Sequence, residues 1–130
     1  MLSTGVAMEL EKIDCDFSVC RVLSVGDVDF TREFVFFAKT PDEVSLVCES
    51  AYVPPSAVEV ESGWRAFRVS GVLDFGLLGV LAKITGVLAD AGISVFAVST
   101  FNTDYILMKS DKFDEGLRVL VQHGYVVRGG

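Results

Sequence analysis

Two short stretches of this 130-residue chain hold residue types that could recognise a small molecule. The first is Gly71-Val72-Leu73-Asp74-Phe75-Gly76-Leu77-Leu78-Gly79-Val80-Leu81, which has glycines at 71, 76 and 79 and a single charge. A strand-to-helix loop containing Gly71 and Gly76 lets a ligand approach the backbone closely. Free N–H groups at the start of the following helix, near Phe75, Gly76 and Leu77, suit a carboxylate. Asp74 can cap that helix or accept an ammonium group. An α-amino acid carries a carboxylate and an ammonium on one carbon, so one loop could hold both. The plain alternative is that the glycines only let helix and sheet pack tightly and that Asp74 is only a cap. The second stretch is Ser99 to Lys109, STFNTDYILMK. Ser99, Thr100, Phe101, Asn102 and Asp104 crowd two hydroxyls, a ring, an amide and a carboxylate into a strand-to-strand turn. Asn102 suits a turn for local reasons. Phe101 beside Asp104 could grip the end of a polar or cationic side chain, or Asp104 could merely close the turn.

Other chemistries find little support. His123 is the only histidine and falls at a helix end, where it caps carbonyls or faces solvent. No His, Cys, Asp or Glu spacing suits a metal, and no second histidine serves a Ser or Cys nucleophile. The acidic run Glu9, Glu11, Asp14 and Asp16 reads as a solvated arm. An acylphosphatase-like site would need an arginine that Gly71 to Gly76 lacks. Enzyme, metal site and cofactor are therefore not expected. The net charge of −7, with eleven scattered Lys and Arg, argues against nucleic acid and anionic lipid. RNA-recognition domains share the element order derived below but need basic, aromatic-bearing strands.

The elements that position these stretches follow from pattern. Residues 1–16 read as an N-terminal arm, either a leader strand or loose chain. Phe17–Leu23 and Glu33–Lys39 read as strands. Thr40-Pro41-Asp42-Glu43 has the form of a capping box with proline at the first helical position, so a short helix is expected to end near Glu49. Trp64–Ser70 is a strand, and Phe75–Ala91 is a helix with apolar residues at 77, 81, 84, 88 and 91, stopped by Gly92. Its clearly polar residues, Lys83, Thr85 and Asp90, leave a narrow polar face, which points to a partner, either the other half or a second subunit. Ile93–Ser99 and Asp104–Lys109 are strands. Asp111 caps a last helix with the apolar face Phe113, Leu117, Leu120 and Val121, Gly124 stops it, and Tyr125-Val126-Val127 is a final strand. The order is β-α-β-β-α-β, the ferredoxin-like split βαβ of an α+β protein.

Hydrophobic residues make up 51% of the chain, enough for a core and for apolar surface buried on a partner. No apolar run approaches the ~18 residues of a membrane-spanning helix, and the first residues lack the pattern of a secretory signal. Cys15, Cys20 and Cys48 read as reduced, mostly buried thiols of a cytoplasmic protein.

Trp64 to Lys109 closely resembles the ACT-domain proteins, small-molecule regulatory modules. The pieces that carry the likeness are GVLDFGLLGVLAKIT, LADAGISVFAVST and TDYILM, in order and correctly spaced. The nearest group resembles tandem ACT-like bacterial proteins related to cytosolic arginine sensors and to the regulatory domains of aspartate kinases. FVFFAKTPDEVSLVCE and VPP extend the likeness into the first half. The resemblance implies two tandem ferredoxin-like units, a shortened one over 17–62 and an ACT domain over 63–130. It also implies a homodimer that binds an amino acid where units meet and regulates another protein. Gly71, Leu73, Asp74, Phe75 and Gly76 would hold the amino-acid backbone, and Ser99, Thr100, Phe101 and Asp104 would line the side-chain pocket. Asp104 and the arginine sensors suggest a cationic amino acid. The competing expectation is a dimerisation or interaction module of the same fold that binds no ligand.

Overall fold

The structure, a computed structural model, describes residues 8–70 and 79–129. The chain divides into two compact units. One holds the residues up to Asp14 together with those from Arg65 onward, and the other holds Cys15–Trp64. Strands β1 (Glu9–Val22) and β4 (Glu59–Val69) each contribute to both. The expected arm is thus strand from Glu9 onward. Leu10 and Ile13 are buried while Glu9, Lys12 and Asp14 are not, so the acidic run lies within a strand rather than on a solvated tail.

The unit containing the chain's C-terminal half adds α1 (Val80–Asp90), β5 (Phe96–Ser99), β6 (Asp104–Lys109), α2 (Ser110–Gln122) and β7 (Val126–Gly129) after β4. That succession is the β-α-β-β-α-β order read from the sequence. Its strands lie in the order β7-β1-β4-β6-β5. The last strand pairs in parallel with the start of β1, Glu9 opposite Val126 and Lys12 opposite Gly129. β5 and β6 form an antiparallel hairpin. Phe67 and Val69 of β4 and Ile106 and Met108 of β6 alternate onto one face, where they meet Ile84 and Leu88 of α1 and Phe113, Leu117 and Leu120 of α2. Leu10 joins them from β1.

Both helices end the same way. At the close of α1, Gly92 adopts φ 76°, its N–H reaches Ala89 O at 2.9 Å, and Ile93 N–H reaches Leu88 O at 2.9 Å. At the close of α2, Gly124 adopts φ 96°, its N–H reaches Val121 O at 3.0 Å, and Tyr125 N–H reaches Leu120 O at 3.2 Å. Each is a Schellman stop in which a left-handed glycine turns the chain and the next apolar residue is driven into the core; Ile93 and Tyr125 are both buried there. The starts differ from expectation. α1 as described begins at Val80 after Gly79 at φ 75°, a left-handed residue that cannot lie inside a right-handed helix, and the expected start at Phe75 lies outside the described residues. Asp111 lies inside the first turn of α2, and the N-cap position belongs to Lys109.

In the unit of residues 15–64, β2 (Val35–Lys39) and β3 (Val44–Glu49) accompany β1 and β4 in the order β2-β3-β1-β4. The short helix expected after Thr40 is strand β3. The local chemistry of the expected cap is present all the same: the Thr40 hydroxyl accepts the N–H groups of Asp42 and Glu43 at 3.2 and 3.3 Å. Those bonds close a hairpin turn, with Thr40 N–H donating to Glu43 O at 2.9 Å. The residues that follow, Val44-Ser45-Leu46-Val47-Cys48, are mostly apolar with β-branched Val44 and Val47, and Leu46 and Cys48 complete a core with Cys20, Val22 and Val28. Burial pushes the Cys48 thiol up to about 12, reinforced by the neighbouring Cys20, whose own thiol burial also raises.

Three glycines are expected to respond differently to substitution. Gly92→Ala loses about 1–2 kcal/mol through left-handed strain. Gly86→Ala, inside α1 with open space around its Cβ position, gains up to about 1 kcal/mol from helix propensity. Gly116→Val, whose Cβ would overlap Met108 Sδ and lie 3.3 Å from Leu88 Cδ2, loses about 1–3 kcal/mol by overpacking. Urea unfolding of the three variants checks the signs. Alkylation at pH 8 followed by mass spectrometry checks the thiols. Half-exposed Cys15 is modified well before Cys20 and Cys48 in the native protein, and urea abolishes the difference.

Candidate functional site

The β5–β6 hairpin carries the second candidate stretch, and its geometry is set residue by residue. Ser99 stands directly opposite Asp104 in the ladder, and its hydroxyl donates to Asp104 Oδ1 at 2.7 Å. Thr100 closes the turn: its N–H donates to Thr103 O at 2.8 Å. Its hydroxyl donates to the same carbonyl at 2.9 Å and accepts Thr103 N–H at 3.3 Å. That leaves Phe101 and Asn102 at the apex, with Phe101 79% exposed. Of the four predicted pocket residues, Ser99 and Asp104 therefore hold each other, Thr100 is used within the turn, and Phe101 stands exposed at the apex.

Thr103 did not enter the predicted set, and it does the anchoring. It is one of two buried polar residues among those described, and its hydroxyl donates to Val69 O at 2.8 Å. The bond pins the hairpin turn to the last residue of β4. Ser70 follows, itself held by its N–H to Glu9 O at 2.9 Å, and Gly71 is next in the sequence. The second candidate stretch is thus fixed beside the chain position from which the first departs. Gly71, Leu73, Asp74, Phe75 and Gly76 lie outside the described residues. The sequence signal for Thr103 was a hydroxyl directly after the apex pair Phe101-Asn102, where a strand is about to begin.

Beyond that loop, the first described helical amides are those of Val80, Leu81 and Ala82. Lys83 N–H donates to Gly79 O at 2.8 Å, and among the described residues no side chain caps this end. Such an end favours an anion. Two open cavities are described. A groove of about 680 Å³ is lined by Ala82, Thr85, Gly86 and Ala89 of α1 and by Gly92–Val95. A second, of about 430 Å³, lies among Arg21, Glu43, Ser45, Glu59 and Glu61 in the other unit. Neither includes a residue of the 99–104 turn. Among the described residues no group of three or more His, Cys, Asp or Glu could hold a metal, and no helix is long and apolar enough to cross a membrane.

Residues 59–122, which contain both candidate stretches, match the family model of the ACT domain. The match covers just under half of the chain. Over 58 residues it is 41% identical to the Homo sapiens cytosolic arginine sensor for mTORC1 subunit 1, an alignment that covers 44% of this chain and 18% of that protein. The match thus spans less than a fifth of the curated relative. Among solved structures, a protein from Agobacterium tumefaciens superimposes with a TM-score of 0.83 at 24% identity, covering 96% of this chain and 95% of that one. Clostridium acetobutylicum aspartate kinase superimposes with a TM-score of 0.64 at 14% identity, covering 95% of this chain and 36% of the kinase. At these identities the structural matches establish a shared fold.

The anchoring role of Thr103 is testable without a ligand. Thr103→Val keeps the shape and strands the Val69 carbonyl, so it should lose about 1–3 kcal/mol in urea unfolding. Thr103→Ser, which keeps the hydroxyl, should lose clearly less.

Proposed function

We propose that this protein is a non-catalytic sensor that binds an α-amino acid at its ACT domain and regulates another protein. The observation that carries the reading is the Thr103–Val69 bond, which holds the Ser99–Asp104 turn beside the departure point of the Gly71–Gly76 loop. The ligand carboxylate meets backbone N–H groups of that loop and of the α1 start at Val80–Ala82. Its ammonium meets Asp74 or backbone carbonyls, with Gly71, Leu73, Phe75 and Gly76 shaping the approach. Its side chain passes Ser99, Thr100 and Phe101 toward Asp104. A cationic amino acid fits best, since Asp104 supplies a carboxylate in a chain of net charge −7 and the relative of known activity senses arginine. In this reading the protein is cytoplasmic and homodimeric, needs no cofactor, and is built as a shortened ACT-like unit over 17–62 followed by an ACT domain over 63–130. The ligand lies where ACT units meet.

A second reading is favoured by one observation: Ser99 and Asp104 bond each other and Thr100 bonds Thr103 within the turn. On that reading the same fold serves protein association and takes no ligand.

Thermal unfolding in the presence of each of the twenty amino acids separates the two. A ligand at about 100 times its dissociation constant adds about 2.7 kcal/mol, a midpoint shift of several degrees for a chain of this size. The expected result is a shift with arginine or lysine that Asp104→Ala abolishes. No shift with any amino acid would leave the association module as the function.

A further inference from the structure

The homodimer of the proposed function needs an interface, and the unit of residues 15–64 presents one. β2 is the last strand in the order β2-β3-β1-β4. Its ladder with β3 fixes which backbone groups remain open. Thr40 and Glu43 form a hydrogen-bonded pair through Thr40 N–H to Glu43 O, and the register continues as Ala38 opposite Ser45 and Phe36 opposite Val47. Hydrogen-bonding direction alternates along an antiparallel strand. Phe36, Ala38 and Thr40 therefore point their N–H and C=O groups at β3, and Val35, Phe37 and Lys39 point theirs outward. Among the described residues, no backbone hydrogen bond outside the β2–β3 ladder reaches these three.

An open edge of this kind is normally blunted by proline, a bulge or interior charge. Val35-Phe36-Phe37-Ala38 has none of these. Its flank is apolar as well: Phe37 is 45% exposed and stacks edge-on at 5.1 Å with Phe30, which is 51% exposed. The charges stand only at the two ends, Glu33 ahead of the strand and Lys39 at its close. Neither joins an ion pair among the described residues.

We infer that β2 pairs antiparallel with β2 of a second copy of this chain, about a two-fold axis at Phe36. A two-fold pairing must bring outward residues opposite outward residues. The centres Val35, Phe36 and Phe37 all satisfy that condition. Centred on Phe36, Val35 faces the second copy's Phe37, and Glu33 faces the second copy's Lys39, twice over by symmetry. Centred on Val35, Glu33 would meet Phe37; centred on Phe37, it would meet Pro41. Only the Phe36 register matches the charges, and it prolongs each strand back to Glu33. The other end strand of the fold, β5, gives no such preference, because residues 93–100 carry no charge.

The test is sedimentation velocity on the full chain from 1 to 100 micromolar at low salt, with Glu33→Lys, Lys39→Glu and an equimolar mixture of the two variants. Each single variant places like charges opposite each other at both ends and should raise the dimer dissociation constant about tenfold. In the mixture, the two substituted positions face each other at one end with opposite charges, reversed in sense from wild type. The native Glu33–Lys39 pair forms at the other end, so a heterodimer of wild-type affinity should return. Circular dichroism of each variant confirms that the fold is intact. A wild-type monomer throughout would overturn both the edge and the homodimer reading. A wild-type dimer unaffected by either single variant, or weakened by both but not restored in the mixture, would overturn the edge alone. Either result leaves the amino-acid assay to be judged separately.

Discussion

The arrangement of the candidate site depends on one buried hydroxyl. Thr103 has little access to solvent, and its Oγ1 can only be satisfied from within; the carbonyl at the end of β4 supplies the partner. A polar group buried without such a bond costs as much as several methyl groups gain, so the turn has no comparably stable alternative place to rest. Because the turn is tied there, Ser99 and Asp104 are held opposite each other and Phe101 is left at the apex. Polar residues that scatter as side chains on an isolated hairpin become a fixed set at the exit of a strand.

The two helices that cover this sheet are positioned by a different device with the same logic. Each ends in a left-handed glycine followed by a residue that drops into the core, so the chain leaves the helix already aimed at the next strand. Close packing does the rest. Gly116 of α2 has no space for a side chain because Met108 and Leu88 already fill it. The unit of residues 15–64 contains no α-helix among its described residues and closes its core mainly with strand residues, among them Cys20 and Cys48. Burial explains why those two thiols are held protonated rather than poised for chemistry.

Residues 59–122, which match the ACT-domain model, carry the candidate site proposed above for recognition. The described polar groups of the 99–104 turn are used within it, Ser99 with Asp104 and Thr100 with Thr103. The recognition groups of the proposal are backbone N–H groups and the remaining acceptor capacity of the Asp104 carboxylate. Such groups bind an ion pair without altering it. The open strand edge and the 99–104 turn belong to different units.

Much of this was legible in the residues. Period-3.6 stripes in 80–90 and 110–122, glycines at 92 and 124, and apolar and aromatic runs at 64–70, 96–99 and 104–109 determine their elements locally, because each choice satisfies propensity, capping and pattern at once. Local chemistry alone did not decide three points. Thr40 caps two amides in either a helix or a hairpin turn, and only the core waiting for Leu46 and Cys48 makes β3 the answer. Residues 9–14 look like a charged tail until β4 and β7 offer ladders on both sides. Thr103 is an ordinary turn residue until the end of β4, 34 positions earlier, lies within reach of its hydroxyl. In each case the deciding partner is distant in sequence, and only the folded chain brings it into contact.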